Sequence, residues 1–226
     1  MANINFRLGD NSTVQLNSNA SYDFSNILYT SFYARMFDEF NLNCKYFSEL
    51  SAANALNNIK TPFVSCVGIN IQSLNSKFNE LLNFINNNRL KGIFLDLLCL
   101  SETWTNDFTR FHIPNYNIYY ASRTVNSRGG VAIYINSKFT SSQINHPSLF
   151  IDSILEAVCI KFSVKGGIKC LAISLYRPNS HPILSYNDQS TAFLEQFLIL
   201  LNFLYSFDLP VILMGDYNLN LFLTIK

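Results

Sequence analysis

Two apolar runs, EAVCIKFSV at 156–164 and IKCLAISLY at 168–176, stand on either side of Lys165-Gly166-Gly167. A glycine-containing loop this short joins adjacent antiparallel strands, whereas parallel neighbours need a crossover of a dozen residues or more. The segment therefore predicts a hairpin and commits the fold to antiparallel pairing in at least one sheet.

From Pro62 onward the rest of the chain has the same punctuation of short apolar runs and polar turns. FVSCVGINI reads as a buried strand, IFLDLLCL as a second and GGVAIYI as a third, while LPVILM is a last one near the end. Between the first two, Phe78, Leu81, Leu82 and Ile85 fall at i, i+3, i+4 and i+7, the stripe of an amphipathic helix. Ser190 and Thr191 are placed to cap a helix carrying Phe193, Phe197, Leu200, Leu201 and Leu204. Helices alternating with strands, with one hairpin among them, define a mixed α/β or α+β layered fold. Residues 1–61 are rich in Asn and Ser with weak periodicity, and read as an extension in which ILYTSFYARMFDEF and KYFSEL form short helices. The domain boundary falls at residue 62.

Composition narrows the class. With 49% hydrophobic and 14% charged residues the chain has the material for a core, and a net charge of +1 leaves no basic footprint of a non-specific nucleic-acid binder. That balance does not argue against an enzyme that cuts DNA. Cys44, Cys66, Cys99, Cys159 and Cys170 include no Cys-x-x-Cys pair, and the last four sit in apolar runs as small core residues of a reducing compartment. The opening MANINFRLGD has neither the basic nor the apolar region of a secretory signal, so an intracellular setting, nuclear or cytoplasmic, is expected. The most apolar stretch, FLILLNFLYSF at 197–207, is shorter than the roughly 20 residues of a membrane span, and no membrane partner is expected.

Several apolar runs end in side chains that bear chemistry. The first ends in Asn70, IFLDLLCLSETW in Glu102, IKCLAISLYRP in Tyr176 and Arg177, and LPVILMGDYN in Asp216 and Asn218. Strand ends are where sheets collect ligand sites, because rigid strands there meet solvated loops. Taken singly, each residue reads as a cap, a turn former or a half-buried aromatic. As a convergent set they suit metal-assisted phosphodiester hydrolysis. Glu102 offers hard oxygen to Mg²⁺, Asp216 orients or deprotonates a water, and the amides and Tyr176 donate to phosphate oxygens. Glu102 and Asp216 as the paired acids of a glycosidase are a remote alternative, since nothing supplies an aromatic sugar platform.

From about Phe63 to Leu221 the chain resembles the endonuclease/exonuclease/phosphatase superfamily, and specifically the apurinic-type endonuclease domain of non-LTR retrotransposons. The resemblance is carried by INIQSLNSKFNEL, LDLLCLSETW, IPNYNIYYASRTVNSRGGVAIYI, LEAV with Glu156, LYRPN and MGDYNLNL, all in the family's order. It implies a two-sheet β-sandwich flanked by helices and a Mg²⁺- or Mn²⁺-dependent endonuclease of DNA. It also implies that Asn70 serves the phosphate and metal network, Glu102 the metal, Tyr176 the scissile phosphate, and Asp216 with Asn218 the attacking water and the transition state. Arg128, Gly129 and Gly130 match a recurrent motif read as a turn, and Glu156 a recurrent acidic position.

The family's last motif, a Ser-Asp-His on a C-terminal strand, has no counterpart before Lys226. His112, His146 and His181 lie in RFHIPNY, INHPSL and NSHPIL, which read as solvated loops. The expectation is a domain incomplete at its C-terminus and lacking its last strands, with weak or no nuclease activity and weak DNA binding. The alternative is a catalytically inactive retroelement remnant or binding fragment. A sandwich cut after its last strand is also expected to self-associate through an open edge.

Overall fold

The computed structural model describes residues 64–123, 128–164 and 166–218. The extension at 1–61, where two short helices were expected, Cys44, Lys165 of the hairpin loop and the chain after Asn218 lie outside them.

Among the described residues there are nine strands and two helices of more than one turn, the eight expected elements in their expected order with three further strands between them: β1 (Cys66–Asn70), α1 (Leu74–Leu90), β2 (Leu97–Ser101), β3 (Tyr116–Ala121), β4 (Val131–Asn136), β5 (Ser141–Ile144), β6 (Phe150–Ile151), β7 (Leu155–Ser163), β8 (Lys169–Tyr176), α2 (Tyr186–Tyr205) and β9 (Val211–Asp216). One sheet runs β1-β2-β4-β3 and the other β5-β7-β8-β9, with β6 on β7. The predicted hairpin is present as the antiparallel pair β7–β8, closed by Val164 N–H donating to the Ile168 carbonyl at 2.9 Å.

The sheets lie face to face, β1 near β9 and β2 and β4 near β8, and each carries one helix on its outer side. Alternation along the strands sorts the core into layers. Leu98 and Leu100 of β2 face outward with Leu74, Leu81 and Ile85 of α1, while Leu171, Ile173 and Leu175 of β8 face outward with Phe193, Leu200 and Leu204 of α2. The intervening Leu97, Cys99, Cys170 and Ala172 fill the space between the sheets, all at most 1% exposed. Each fully buried Leu or Ile stabilises by roughly 1.5–3 kcal/mol over its exposed state. Approach between the sheets is close: a Cβ on Gly68 would stand 3.3 Å from Met214 Cε. Cys66, Cys99, Cys159 and Cys170 are free and buried within this core. Among the described residues no helix is long and apolar enough to cross a membrane.

Three strands were not read from the sequence, and all three are short or mostly polar on the surface side. In β3 only Tyr116 is buried, β5 is SSQI without a buried residue, and β6 has two residues. Helix α2 also begins earlier than Ser190 and Thr191. Its N-cap is Ser185, whose Oγ accepts the Asp188 N–H at 3.3 Å, and Ser190 and Thr191 donate back to the Tyr186 and Asn187 carbonyls inside the first turns. Ser185 is in the extended conformation usual for an N-cap.

Parallel pairing of β1 with β2 sets Asn70 beside Ser101, and parallel pairing of β8 with β9 sets Tyr176 beside Asp216. The carboxyl ends of four strands, two from each sheet, thus open at one edge of the sandwich.

Candidate functional site

At that edge the Asn70 side-chain amide joins the sheets. Its Nδ2 donates to Glu102 Oε1 and to Asp216 Oδ2, each at 2.7 Å. Turning the amide over would set its carbonyl oxygen against two carboxylate oxygens, so the hydrogen-bond network fixes its orientation. The other amide atom, Asn70 Oδ1, is buried and has no hydrogen-bond partner.

Tyr176 closes the cluster from β8. Burial, followed by the charges of Glu102 and Glu156, pushes its pKa well above the ordinary tyrosine value. The phenol therefore stays protonated at neutral pH and remains a donor. Asn218 lies just past β9, where its backbone N–H donates to Asp216 Oδ1 at 3.1 Å and its Nδ2 to the Arg177 carbonyl at 2.6 Å. Four of the residues singled out in the sequence, Asn70, Glu102, Asp216 and Asn218, are thereby linked by hydrogen bonds, and the fifth, Tyr176, stands beside Asp216 in the β8–β9 register.

The loops holding them are strained. Gln72, Ser73, Glu102, Trp104 and Asn218 have φ of 46°, 89°, 56°, 51° and 44°, in the left-handed region that non-glycine residues seldom occupy. Such conformations cost about 1–3 kcal/mol each and persist where the surroundings over-determine them. Around Glu102 the surroundings do so: its carbonyl accepts the Ser73 N–H at 2.9 Å, and the N–H groups of Thr103 and Trp104 donate to the Gly130 and Gly129 carbonyls at 3.2 and 2.9 Å. Gly129 and Gly130 are in turn held by Glu156, whose Oε2 accepts the Gly130 N–H at 2.6 Å while Oε1 pairs with Arg123 Nη2 at 2.5 Å. A Cβ on Gly129 would fall 2.8 Å from that Glu156 oxygen, which is why this turn takes glycine. Arg128 stacks over Trp104, 5.7 Å from the ring centroid.

Arg177, Arg123 and Ser190 complete the surroundings; read from the sequence, the two arginines had no role and Ser190 only that of a helix cap. Arg177 had stood out only as the neighbour of Tyr176; nothing local marks Arg123, whose partner is 33 residues away. The histidines are elsewhere. His146 stacks on Phe203 with centroids 3.9 Å apart, His181 Nδ1 accepts the Ile183 and Leu184 N–H groups, and His112 is exposed ahead of β3.

For a divalent cation, no group of three or more His, Cys, Asp or Glu is assembled among the described residues. Mg²⁺ does not require one, because it is held by one or two carboxylates together with water and substrate phosphate. The unpartnered Asn70 Oδ1 beside the Glu102 carboxylate is a hard-oxygen set of that kind, so the residues fit such an ion.

The Endonuclease/Exonuclease/phosphatase family model matches residues 67–224 of this chain, and the chain belongs to that family. A search of curated proteins returns no match. Among solved structures, TDP2 from C. elegans aligns with a TM-score of 0.50 and 19% identity over 77% of this chain and 54% of its own. The endonuclease domain of TRAS1, a telomere-specific non-LTR retrotransposon, aligns at 0.49 and 14% over 70% of this chain and 60% of its own. The 3′ phosphatase NExo from Neisseria, bound to product DNA hairpin, aligns at 0.46 and 18% over 68% and 57%. At these identities the likeness is one of fold, and this chain spans 54–60% of the length of the three structures.

Proposed function

We propose that the chain is a divalent-metal-dependent phosphodiester hydrolase that nicks DNA, the endonuclease module of a non-LTR retrotransposon. The observation that carries this reading is the Asn70 amide bridging Glu102 and Asp216 beside an unpartnered carbonyl oxygen. The retrotransposon assignment rests on the ordered sequence blocks from INIQSLNSKFNEL to MGDYNLNL.

Glu102 and Asn70 Oδ1 would hold Mg²⁺ or Mn²⁺, which supplies neutralisation of the charge that grows on the phosphoryl oxygens. Asp216 accepts the proton of the attacking water. The water oxygen bonds to phosphorus, the bond from phosphorus to the 3′-oxygen breaks, and the released oxygen takes a proton from solvent. Tyr176, kept protonated by its surroundings, donates to a non-bridging oxygen, as does the Asn218 amide once the phosphate displaces its bond to Arg177. Asn70 keeps the two carboxylates at a fixed separation, so that one serves the metal and the other the water.

No imidazole joins the five residues, since His146 and His181 are engaged in their own loops. A positioned acid-base group contributes about 10²–10⁴ in rate, so activity is expected to be weak. This same observation favours the second reading, an inactive retroelement remnant that retains the fold and weak DNA binding. Hydrolysis of bis(4-nitrophenyl) phosphate with Mn²⁺ separates the two. Turnover above the metal-only rate that EDTA abolishes supports the enzyme; release equal to that of metal alone supports the remnant.

A further inference from the structure

Arg177 is 3% exposed, yet among the described residues it forms no ion pair with a carboxylate. A buried guanidinium without a counter-ion is costly to maintain unless its hydrogen bonds are used. Its bonds go to two places. Nη1 donates to the Asn218 carbonyl at 3.1 Å, and Nη2 to Ser190 Oγ on α2 at 2.8 Å, while the guanidinium carbon lies 5.1 Å from the Phe193 ring centroid and 5.9 Å from that of Tyr186. The backbone of Arg177 engages the same segment, its N–H donating to the Asp216 carbonyl at 2.8 Å and its carbonyl accepting Asn218 Nδ2 at 2.6 Å. Three bonds with one residue thus fix Asp216, the last residue of β9, and Asn218 just beyond it, which sits at φ 44°.

Side chains alternate along β8, so Tyr176 faces the space between the sheets and Arg177 faces α2. Arg177 stands behind the cluster and does not touch a phosphate bound in it. Resting on the phosphodiesterase reading above, we propose that Arg177 is a positioning residue: it transmits the rigidity of α2 to Asn218 and holds that backbone strained, with the side-chain amide kept on the Arg177 carbonyl at the edge of the cluster until a phosphate takes it over. Its unpartnered Nε marks a side chain fixed by packing and by two directed bonds in place of a salt bridge. Lysine cannot replace it, since a single ammonium does not reach both Ser190 and the Asn218 carbonyl in a planar fork.

The test is a double-mutant cycle in the full chain, with Arg177→Met, Asn218→Ala and the two together, read by Mn²⁺-dependent phosphodiester hydrolysis and by the NMR signals of the Asn218 side-chain amide. Arg177→Met is expected to lower kcat by about 10²-fold with KM little changed, a size typical of a misplacement near 1 Å. The double variant is expected to be no slower than Asn218→Ala alone. In the spectrum, the Asn218 Nδ2 protons should exchange with solvent at least about tenfold faster in Arg177→Met than in wild type, with Ser190→Ala between them. Multiplicative losses in the cycle, or unchanged amide exchange in a folded Arg177→Met protein, overturn the proposal. If wild type shows no hydrolysis, the phosphodiesterase reading fails, and the amide exchange alone decides the role of Arg177; if Arg177→Met does not fold, Arg177→Lys and Ser190→Ala carry the same readouts.

Discussion

Glu102 and Asp216 come from different sheets, yet their carboxylates accept hydrogen bonds from one nitrogen, Asn70 Nδ2, at the same distance of 2.7 Å. Two carboxylates brought this near each other repel unless a donor lies between them. The amide is that donor, and it turns the meeting of two strand ends into a defined site.

Gly215 makes that meeting possible. Its φ is 155°, and a Cβ there would lie 1.8 Å from the Leu175 carbonyl oxygen, a backbone atom that cannot move without breaking the β8–β9 pairing. Gly215→Ala is expected to destabilise the protein by more than about 3 kcal/mol, in the tail reserved for backbone strain. Urea denaturation followed by circular dichroism checks it; a midpoint within error of wild type contradicts the close approach of these strands.

Glu156 gives the fold a pH signature. Burial pushes its carboxyl above the ordinary glutamate value, outweighing the Gly130 N–H and Arg123, which pull it down. A carboxyl whose folded pKa lies above the unfolded one binds its proton more readily when folded. Its contribution to stability is fully present below the unfolded pKa, about 4.3, and is lost as pH rises through the folded value. The stability difference, wild type minus Glu156→Gln, should therefore shrink as pH rises from about 4.3 and then level off. Unfolding titrations across that range measure it, and a difference that grows with pH would refute the assignment.

Much of this was legible in the sequence, and for physical reasons. The hairpin at 156–176 and the stripe of α1 are local signals, set by period and by glycine, and they reappear as β7–β8 and Leu74–Leu90. The five polar residues were found because each follows an apolar run, and strand ends converge when neighbouring strands run parallel. Edge strands β3 and β5 escaped because an edge has one solvated side and needs little apolar sequence. The start of α2 was misplaced because Ser190 and Thr191 satisfy their hydroxyls on carbonyls one turn back, which sequence alone does not distinguish from capping. Arg177 and Arg123 escaped because their partners are distant in the chain.

Strand β9 ends the second sheet among the described residues, with Val211 exposed and no Lys or Pro within Val211–Asp216 to discourage pairing. Concentration-dependent self-association is the expected outcome in sedimentation velocity. A single monomeric species at every concentration contradicts an open edge at β9.

Nicking of supercoiled plasmid DNA, with Mg²⁺ titrated and the full chain compared with Asp216→Ala and Glu102→Gln, bears most directly on the central claim. Slow nicking is expected that appears only with the metal, falls by at least about 10²-fold in Asp216→Ala, and in Glu102→Gln requires a higher Mg²⁺ concentration. Nicking that both variants retain at the wild-type rate, or none at any metal concentration in a folded wild-type protein, would contradict it.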